Sequence, residues 1–119
     1  YYLGGAVCYA NSAKEKFLGV KAESLKKWGA VSEPVALEMA QSVRLALKSD
    51  FALAITGVAG PGGGSAEKPV GLVHVALSHA SRSKSVHHVL LNGRGSRDQN
   101  RIIAAHLALD LLRNALREW

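Results

Sequence analysis

The segment that most restricts the fold of this 119-residue chain is Thr56-Gly57-Val58-Ala59-Gly60-Pro61-Gly62-Gly63-Gly64. Residues 51–56 form a short, nearly all-apolar run, the pattern of a central strand buried on both faces. The run gives way to a loop over 57–69 with five glycines and two prolines. Ligands of open α/β sheets sit beyond the carboxyl ends of strands. Glycines let the backbone take positive φ and come close to a ligand, presenting N–H groups to a phosphate or an oxyanion. No Gly-Lys-Ser/Thr closes the loop, so it is not a Walker loop. Pro61 and three consecutive glycines do not open a helix, so it is not a dinucleotide fingerprint either. By composition alone, a surface loop and a ligand loop stand level.

Around this loop, strand-like and helix-like segments alternate, which predicts an α/β fold. Residues 1–9 read as a strand: aromatic at the start, then small and β-branched. Asn11 or Ser12 caps a short helix over 13–18 that stops at Gly19. A second short helix, 23–28, stops at Gly29. Ser32 caps a longer helix with Pro34 in its first turn, where the missing N–H costs nothing. Ala36, Ala40, Val43 and Leu47 share one face of it, and Glu38, Gln41 and Lys48 fall on the other. Residues 70–77 and 85–91 read as two strands, a hairpin turning through 79–84. Residues 92–95 form a turn. Ser96 and Gln99 make a capping-box pair that opens the last helix. That helix runs to about Arg117, with Ile102, Ala105, Leu109, Leu112 and Leu116 as its buried stripe. There is no internal repeat.

The length suits one domain with one core. With 48% hydrophobic and 20% charged residues, the chain is too apolar to be disordered. No apolar run approaches the roughly 20 residues that a membrane-spanning helix needs. Cys8 is the single cysteine, which excludes a disulfide framework and a cysteine-based zinc site and accords with a reducing cytoplasm. A small buried apolar role fits Cys8 better than a nucleophile. The only methionine is Met39, so the chain reads as a piece of, or a product processed from, a longer one.

The net charge is +6. Lys14, Lys16, Lys21, Lys26 and Lys27 face only Glu15 and Glu23, and Arg82, Lys84, Arg94, Arg97 and Arg101 face only Asp98. A phosphorylated ligand and plain solvated basic faces both account for this. Nucleic acid is not expected as a partner: there is no helix-turn-helix, no exposed aromatic platform and no basic stripe along one helix.

Several residues have chemistry to offer. Tyr9, Asn11 and Lys14 lie where the first predicted strand passes into a helix. A lysine can act as a general base, and a tyrosine can relay a proton or bind an oxyanion. A half-buried strand tyrosine and a surface lysine are the plainer readings. Glu67-Lys68-Pro69 follows the glycine loop, either solvent-exposed or placing Lys68 near an anion-binding loop. Arg94, Arg97 and Arg101 lie at or near a helix N-terminus, where cations oppose the helix dipole unless an anion docks there. The five histidines, His74, His79, His87, His88 and His106, lack metal-binding spacing, and no metal or other cofactor is expected.

Four motifs in order carry a resemblance that spans nearly the whole chain. Tyr2-Leu3-Gly4-Gly5-Ala6-Val7-Cys8-Tyr9-Ala10-Asn11-Ser12-Ala13-Lys14 resembles the aromatic-x-GG-x-V-x-YSN-x-x-K segment of the CinA C-terminal family, with Ala10 where serine is usual. Gly29-Ala30-Val31-Ser32-Glu33 resembles its GAVSE helix start. Ala54 through Gly64, with Glu67-Lys68-Pro69-Val70-Gly71, resembles its longest signature. Gly95-Ser96-Arg97 through Arg101 resembles its GDR-x-x-x-R segment, with Ser96 in place of aspartate.

This resemblance implies a three-layer α/β/α fold with a mixed sheet. It implies hydrolysis of the amide of nicotinamide mononucleotide to nicotinic acid mononucleotide and ammonia, without metal, in the cytoplasm. A homo-oligomer is expected, either alone or behind an N-terminal nucleotide-binding domain. The family's chemistry looks like that of a serine amidohydrolase helped by a lysine and a tyrosine. Carried over, Lys14 is the base or proton shuttle, Tyr9 its partner, and Asn11 an orienting group. Thr56, Gly57, Ala59, Gly60, Gly62, Gly63, Gly64 and Lys68 hold the ligand or an oxyanion. Arg97 or Arg101 meets the 5′-phosphate. The family's E-S-C/T-G-G helix start, which carries the expected nucleophile, has no counterpart in these residues. The expectation is therefore a single domain over 1–119 that lacks its first strand and helix and does not turn over alone. The alternative is an inactive nucleotide-binding module of the same fold, suggested by Ala10 and Ser96.

Overall fold

The computed structural model describes residues 1–81, the backbone of 85–90, and residues 96–118. Along the chain run α1 (Asn11–Leu18), α2 (Ala22–Trp28), α3 (Glu33–Leu47), β1 (Phe51–Gly57), β2 (Leu72–His79), β3 (Ser85–Leu90) and α4 (Arg97–Glu118). The α/β class is as expected. The predicted turn over 92–95 lies outside the described residues, as do Arg82, Lys84 and Arg94 and the side chains of His87 and His88.

The three strands form one sheet in the order β1-β2-β3. Both pairings are antiparallel, with Ala54 opposite Ala76 and Val75 opposite His87. The expected mixed sheet is therefore antiparallel throughout its described strands. Side chains alternate across a strand, and each face of this sheet meets a different helix layer. Ala54 and Ala76 pack with Val35, Ala36, Met39 and Ala40 of α3, and with Leu18 and Leu25 of α1 and α2. Val73 and Val75 pack on Ala104 and Ala108 of α4, with Leu53, Leu107 and Leu111 at the margin. The result is α/β/α layering, with the larger core on the α3 side.

Several expectations fail. Residues 1–9 form no strand, and Tyr1, Tyr2, Val7 and Tyr9 are exposed. Their composition suits a strand, but a strand holds only against a neighbour, and among the described residues none pairs with them. The predicted stripe of α4 is also wrong. Ile102, Leu109 and Leu116 are exposed, at 59%, 62% and 54%, while Asn100, Ala104, Ala108 and Ala115 are buried. The helix turns its small residues to the sheet and lies close against it.

Among the local signals, some hold and some do not. Ser96 and Gln99 form a reciprocal capping box: the Ser96 N–H donates to Gln99 Oε1 at 3.0 Å and the Gln99 N–H to Ser96 Oγ at 3.2 Å. Gly19 ends α1 in the left-handed region at φ 59°. At the start of α1 the N-cap is Ala10, with no side-chain cap from Asn11 or Ser12. Ser32 sits at the N-cap of α3, but its hydroxyl donates to the Gly29 carbonyl at 2.8 Å instead of capping. On α3, Ala36 and Ala40 are buried as expected, but Leu47 at the far end is 38% exposed. No helix among the described residues is long and apolar enough to cross a membrane.

Candidate functional site

The glycine loop connects β1 to β2 as an enlarged hairpin. Two backbone bonds close its neck: the Val58 N–H donates to Leu72 O at 2.9 Å and the Gly71 N–H to Val58 O at 2.7 Å. Below the neck, Thr56 is buried, and its hydroxyl donates to the Ala30 carbonyl at 2.7 Å. This bond joins the end of β1 to the connection between α2 and α3.

The loop's glycines answer to different constraints. Gly60 is buried at φ 82°, and a Cβ there would lie 2.5 Å from Val70 Cγ1. Gly62 is the opposite case: its φ is not positive, and an added Cβ would meet nothing within 4 Å. Neither packing nor backbone geometry calls for glycine at Gly62.

Two residues of α4 reach this loop. Asn100 is 2% exposed and its side-chain nitrogen donates to Ala59 O at 2.9 Å. Arg97 is exposed and donates from Nη1 to Gly60 O at 3.2 Å. An arginine carries five N–H donors, so most of this guanidinium is left to meet something else. Beyond the glycines, Ser65 and Lys68 close a turn through Ser65 N–H to Lys68 O at 2.9 Å and Lys68 N–H to Ser65 Oγ at 3.0 Å. The Lys68 ammonium donates to the Trp28 carbonyl at the C-terminal end of α2, where the helix dipole favours a cation.

The structure thus gathers Thr56, Gly57, Ala59, Gly60, Lys68 and Arg97 around one loop. Arg101 stands apart, exposed and 3.8 Å from Asp98, with side-chain exposures of 60% and 83%. So open a pair contributes little.

The second group of predicted residues forms its own cluster. Lys14 is 6% exposed, and its ammonium donates to Cys8 O and Tyr9 O, both at 3.1 Å. The surface reading of Lys14 is therefore wrong: its stem is packed away in α1 and its head holds the preceding segment. Tyr9 contributes its carbonyl, while its side chain is 71% exposed. Asn11 is exposed at the first turn of α1. Among the described residues, no hydrogen bond joins this cluster to the glycine loop.

Asn100 escaped the sequence reading. The signal was there: it stands at the head of the spacing Asn100, Ala104, Ala108, a polar residue on a helix face otherwise made of alanine and leucine. Among the described residues, no three His, Cys, Asp or Glu side chains converge as a metal centre requires.

Comparison with known proteins agrees with this architecture. The CinA C-terminal domain family matches residues 1–116. A CinA-like protein of Gloeobacter violaceus is 48% identical over 119 residues, covering 100% of this chain and 28% of the relative. A CinA-like protein of Anaeromyxobacter dehalogenans is 51% identical over 113 residues, covering 95% of this chain and 27% of that one. Among solved structures, the competence/damage inducible protein CihA from Agrobacterium tumefaciens superposes with a TM-score of 0.87 at 42% identity. That match covers 90% of this chain and 64% of the other. A competence or damage-inducible protein from Enterobacter asburiae gives a TM-score of 0.84 at 33% identity, covering 92% and 67%. The chain spans little more than a quarter of the curated relatives' length. With a match over nearly its whole length, in sequence and in fold, the chain belongs to the CinA C-terminal domain family.

Proposed function

We propose that this chain is the substrate-binding and proton-transfer part of a nicotinamide-nucleotide amidase, which hydrolyses nicotinamide mononucleotide to nicotinic acid mononucleotide and ammonia. The observation that carries the reading is the glycine loop. It leaves the end of β1 pinned at Ala59 and Gly60, with Gly62 and Gly63 in open space. Backbone N–H groups on such a loop suit an oxyanion or a phosphate. The exposed Arg97 guanidinium at its rim suits the 5′-phosphate.

In amide hydrolysis a nucleophile adds to the carboxamide carbon, and the departing nitrogen takes a proton to leave as ammonia. Lys14 serves as the base or shuttle in this reading. Its buried ammonium is held in a fixed place by two carbonyls, as a positioned proton carrier needs. Tyr9 and Asn11, both exposed here, join it only when the site is complete. The nucleophile belongs to a strand and helix ahead of Tyr1, and the single domain is completed by that segment. No metal or cofactor takes part. The protein works in the cytoplasm as a homo-oligomer, and an N-terminal nucleotide-binding domain accounts for the greater length of its relatives.

The test is intact mass followed by ammonia release from nicotinamide mononucleotide. A mass above 12.6 kDa with activity supports the reading. Activity at 12.6 kDa moves the nucleophile into these residues and overturns the assignment to a preceding segment. A full-length protein that binds the nucleotide tightly and releases no ammonia is the inactive nucleotide-binding module instead.

A further inference from the structure

We infer that Asn100 is a positioning residue for the glycine loop, its buried amide fixing the Ala59–Gly60 peptide and thereby the direction in which the loop's N–H groups face. The inference rests on the reading of the loop as the substrate cradle.

Asn100 is among the largest fully buried side chains of the protein. The rest of its helix face is alanine and leucine, and an alanine would continue that face without strain. Burying an amide is unfavourable unless it is hydrogen-bonded, so the partner identifies its task. That partner is Ala59 O at 2.9 Å, 41 positions away in sequence. A carbonyl can only accept, so the amide nitrogen must be the end that faces it.

In a trans peptide, C=O and N–H point in opposite directions. Drawing Ala59 O toward α4 therefore turns the Gly60 N–H away from α4. Val70 lies close against Gly60 as well, in the space where a Cβ would go. Arg97 takes the next carbonyl, Gly60 O, but from an exposed position, and the residue that follows is Pro61, which has no N–H. Among the described residues, the N–H groups of Gly60, Gly62, Gly63 and Gly64 donate to no protein acceptor. The next tether is Ser65 N–H on Lys68 O. Gly64 lies close against Pro69 and Val70, and at the other end Asn100 is the buried polar group that sets how the chain leaves Ala59.

The test uses Asn100→Ala and Asn100→Asp in the full-length protein. Amide hydrogen exchange is measured without ligand at Val58 and Gly71, whose N–H groups close the neck of the loop, and kcat and KM are measured for ammonia release from nicotinamide mononucleotide. In Asn100→Ala, exchange at Val58 and Gly71 rises severalfold or more while the ladder over 51–56 and 73–79 keeps its own. Its kcat/KM falls about 10- to 100-fold, the usual scale for misplacement of about 1 Å.

Asn100→Asp distinguishes positioning from simple loss of packing. At neutral pH the introduced carboxylate repels Ala59 O. Once protonated it donates again, and burial raises its pKa above the usual value of about 4. Its loop exchange and activity, each as a ratio to the parent at the same pH, therefore return toward one as pH falls, whereas the ratios for Asn100→Ala stay flat. Parent-like exchange at Val58 and Gly71 in Asn100→Ala overturns the inference, and so do pH-independent ratios in Asn100→Asp. If Asn100→Ala does not fold, the Asn100→Asp series decides alone. If the parent itself releases no ammonia, the amidase reading falls, and loop exchange still decides the role of Asn100.

Discussion

Thr56 at the end of β1 donates its hydroxyl to the Ala30 carbonyl at 2.7 Å, fixing the base of the glycine loop to the connection between two helices. Thr56 is buried, so Thr56→Val keeps the shape and strands the Ala30 carbonyl. It is expected to cost about 1–2 kcal/mol in a urea titration. Thr56→Ser keeps the donor and should cost less. Equal stability of parent and valine variant would show that this bond contributes nothing.

Glycine replacements along the loop should separate by site. Gly60→Ala combines a left-handed backbone with a clash against Val70, and is expected to cost about 3 kcal/mol. Gly63 has φ 86° but open surroundings, so Gly63→Ala should cost only about 1 kcal/mol. Gly62→Ala should leave the melting temperature unchanged. If Gly62 lies against bound nucleotide, that same variant raises KM, and calorimetric stability beside steady-state kinetics shows both effects.

Lys14→Met tests the proton-transfer role. The variant fills a similar space and should fold, since its loss releases only Cys8 O and Tyr9 O. Ammonia release is expected to fall by about 100-fold or more, the scale of a lost acid–base group. Proteolysis within residues 1–10 should quicken. Parent-like turnover would remove Lys14 from the chemistry.

Arg97 and Arg101 should behave differently although both sit on the first turns of α4. Arg97→Ala is expected to raise KM for the mononucleotide about tenfold, and to do less to the phosphate-free nucleoside. Arg101 pairs with Asp98 in full view of solvent. Arg101→Ala should therefore change stability by less than about 0.5 kcal/mol and KM by less than about threefold. Competition by inorganic phosphate against each variant provides a second reading.

Much of this molecule was legible because its local signals are strong. The apolar run at 51–56 became β1, and the Ser96–Gln99 pair opened α4 as its spacing required. The glycine run was recognised as a loop at a strand end. The segment over 1–9 misled because strand propensity describes a residue's fitness for a sheet and not the presence of a neighbour. Large apolar residues point to the wrong face of α4. Packing against the sheet instead selects Ala104 and Ala108, with Leu107 and Leu111 beside them, and leaves Leu109 outside. Lys14 and Asn100 were hidden for a related reason. Polar residues are expected outside unless a partner is known, and their partners are backbone carbonyls, which carry no residue signature.

The ties that shape the glycine loop join residues far apart in the chain. Lys68 reaches back 40 positions to Trp28, while Ala59 and Gly60 wait for donors 41 and 37 positions later. Contacts of long sequence separation form late, after loop closure has been met elsewhere. During synthesis from the N-terminal end, α3 and β1 emerge well before the helix that holds the loop. Within this chain the loop is thus among the last parts to take its shape, and a nascent chain stalled before α4 would carry the sequence of the site without its geometry.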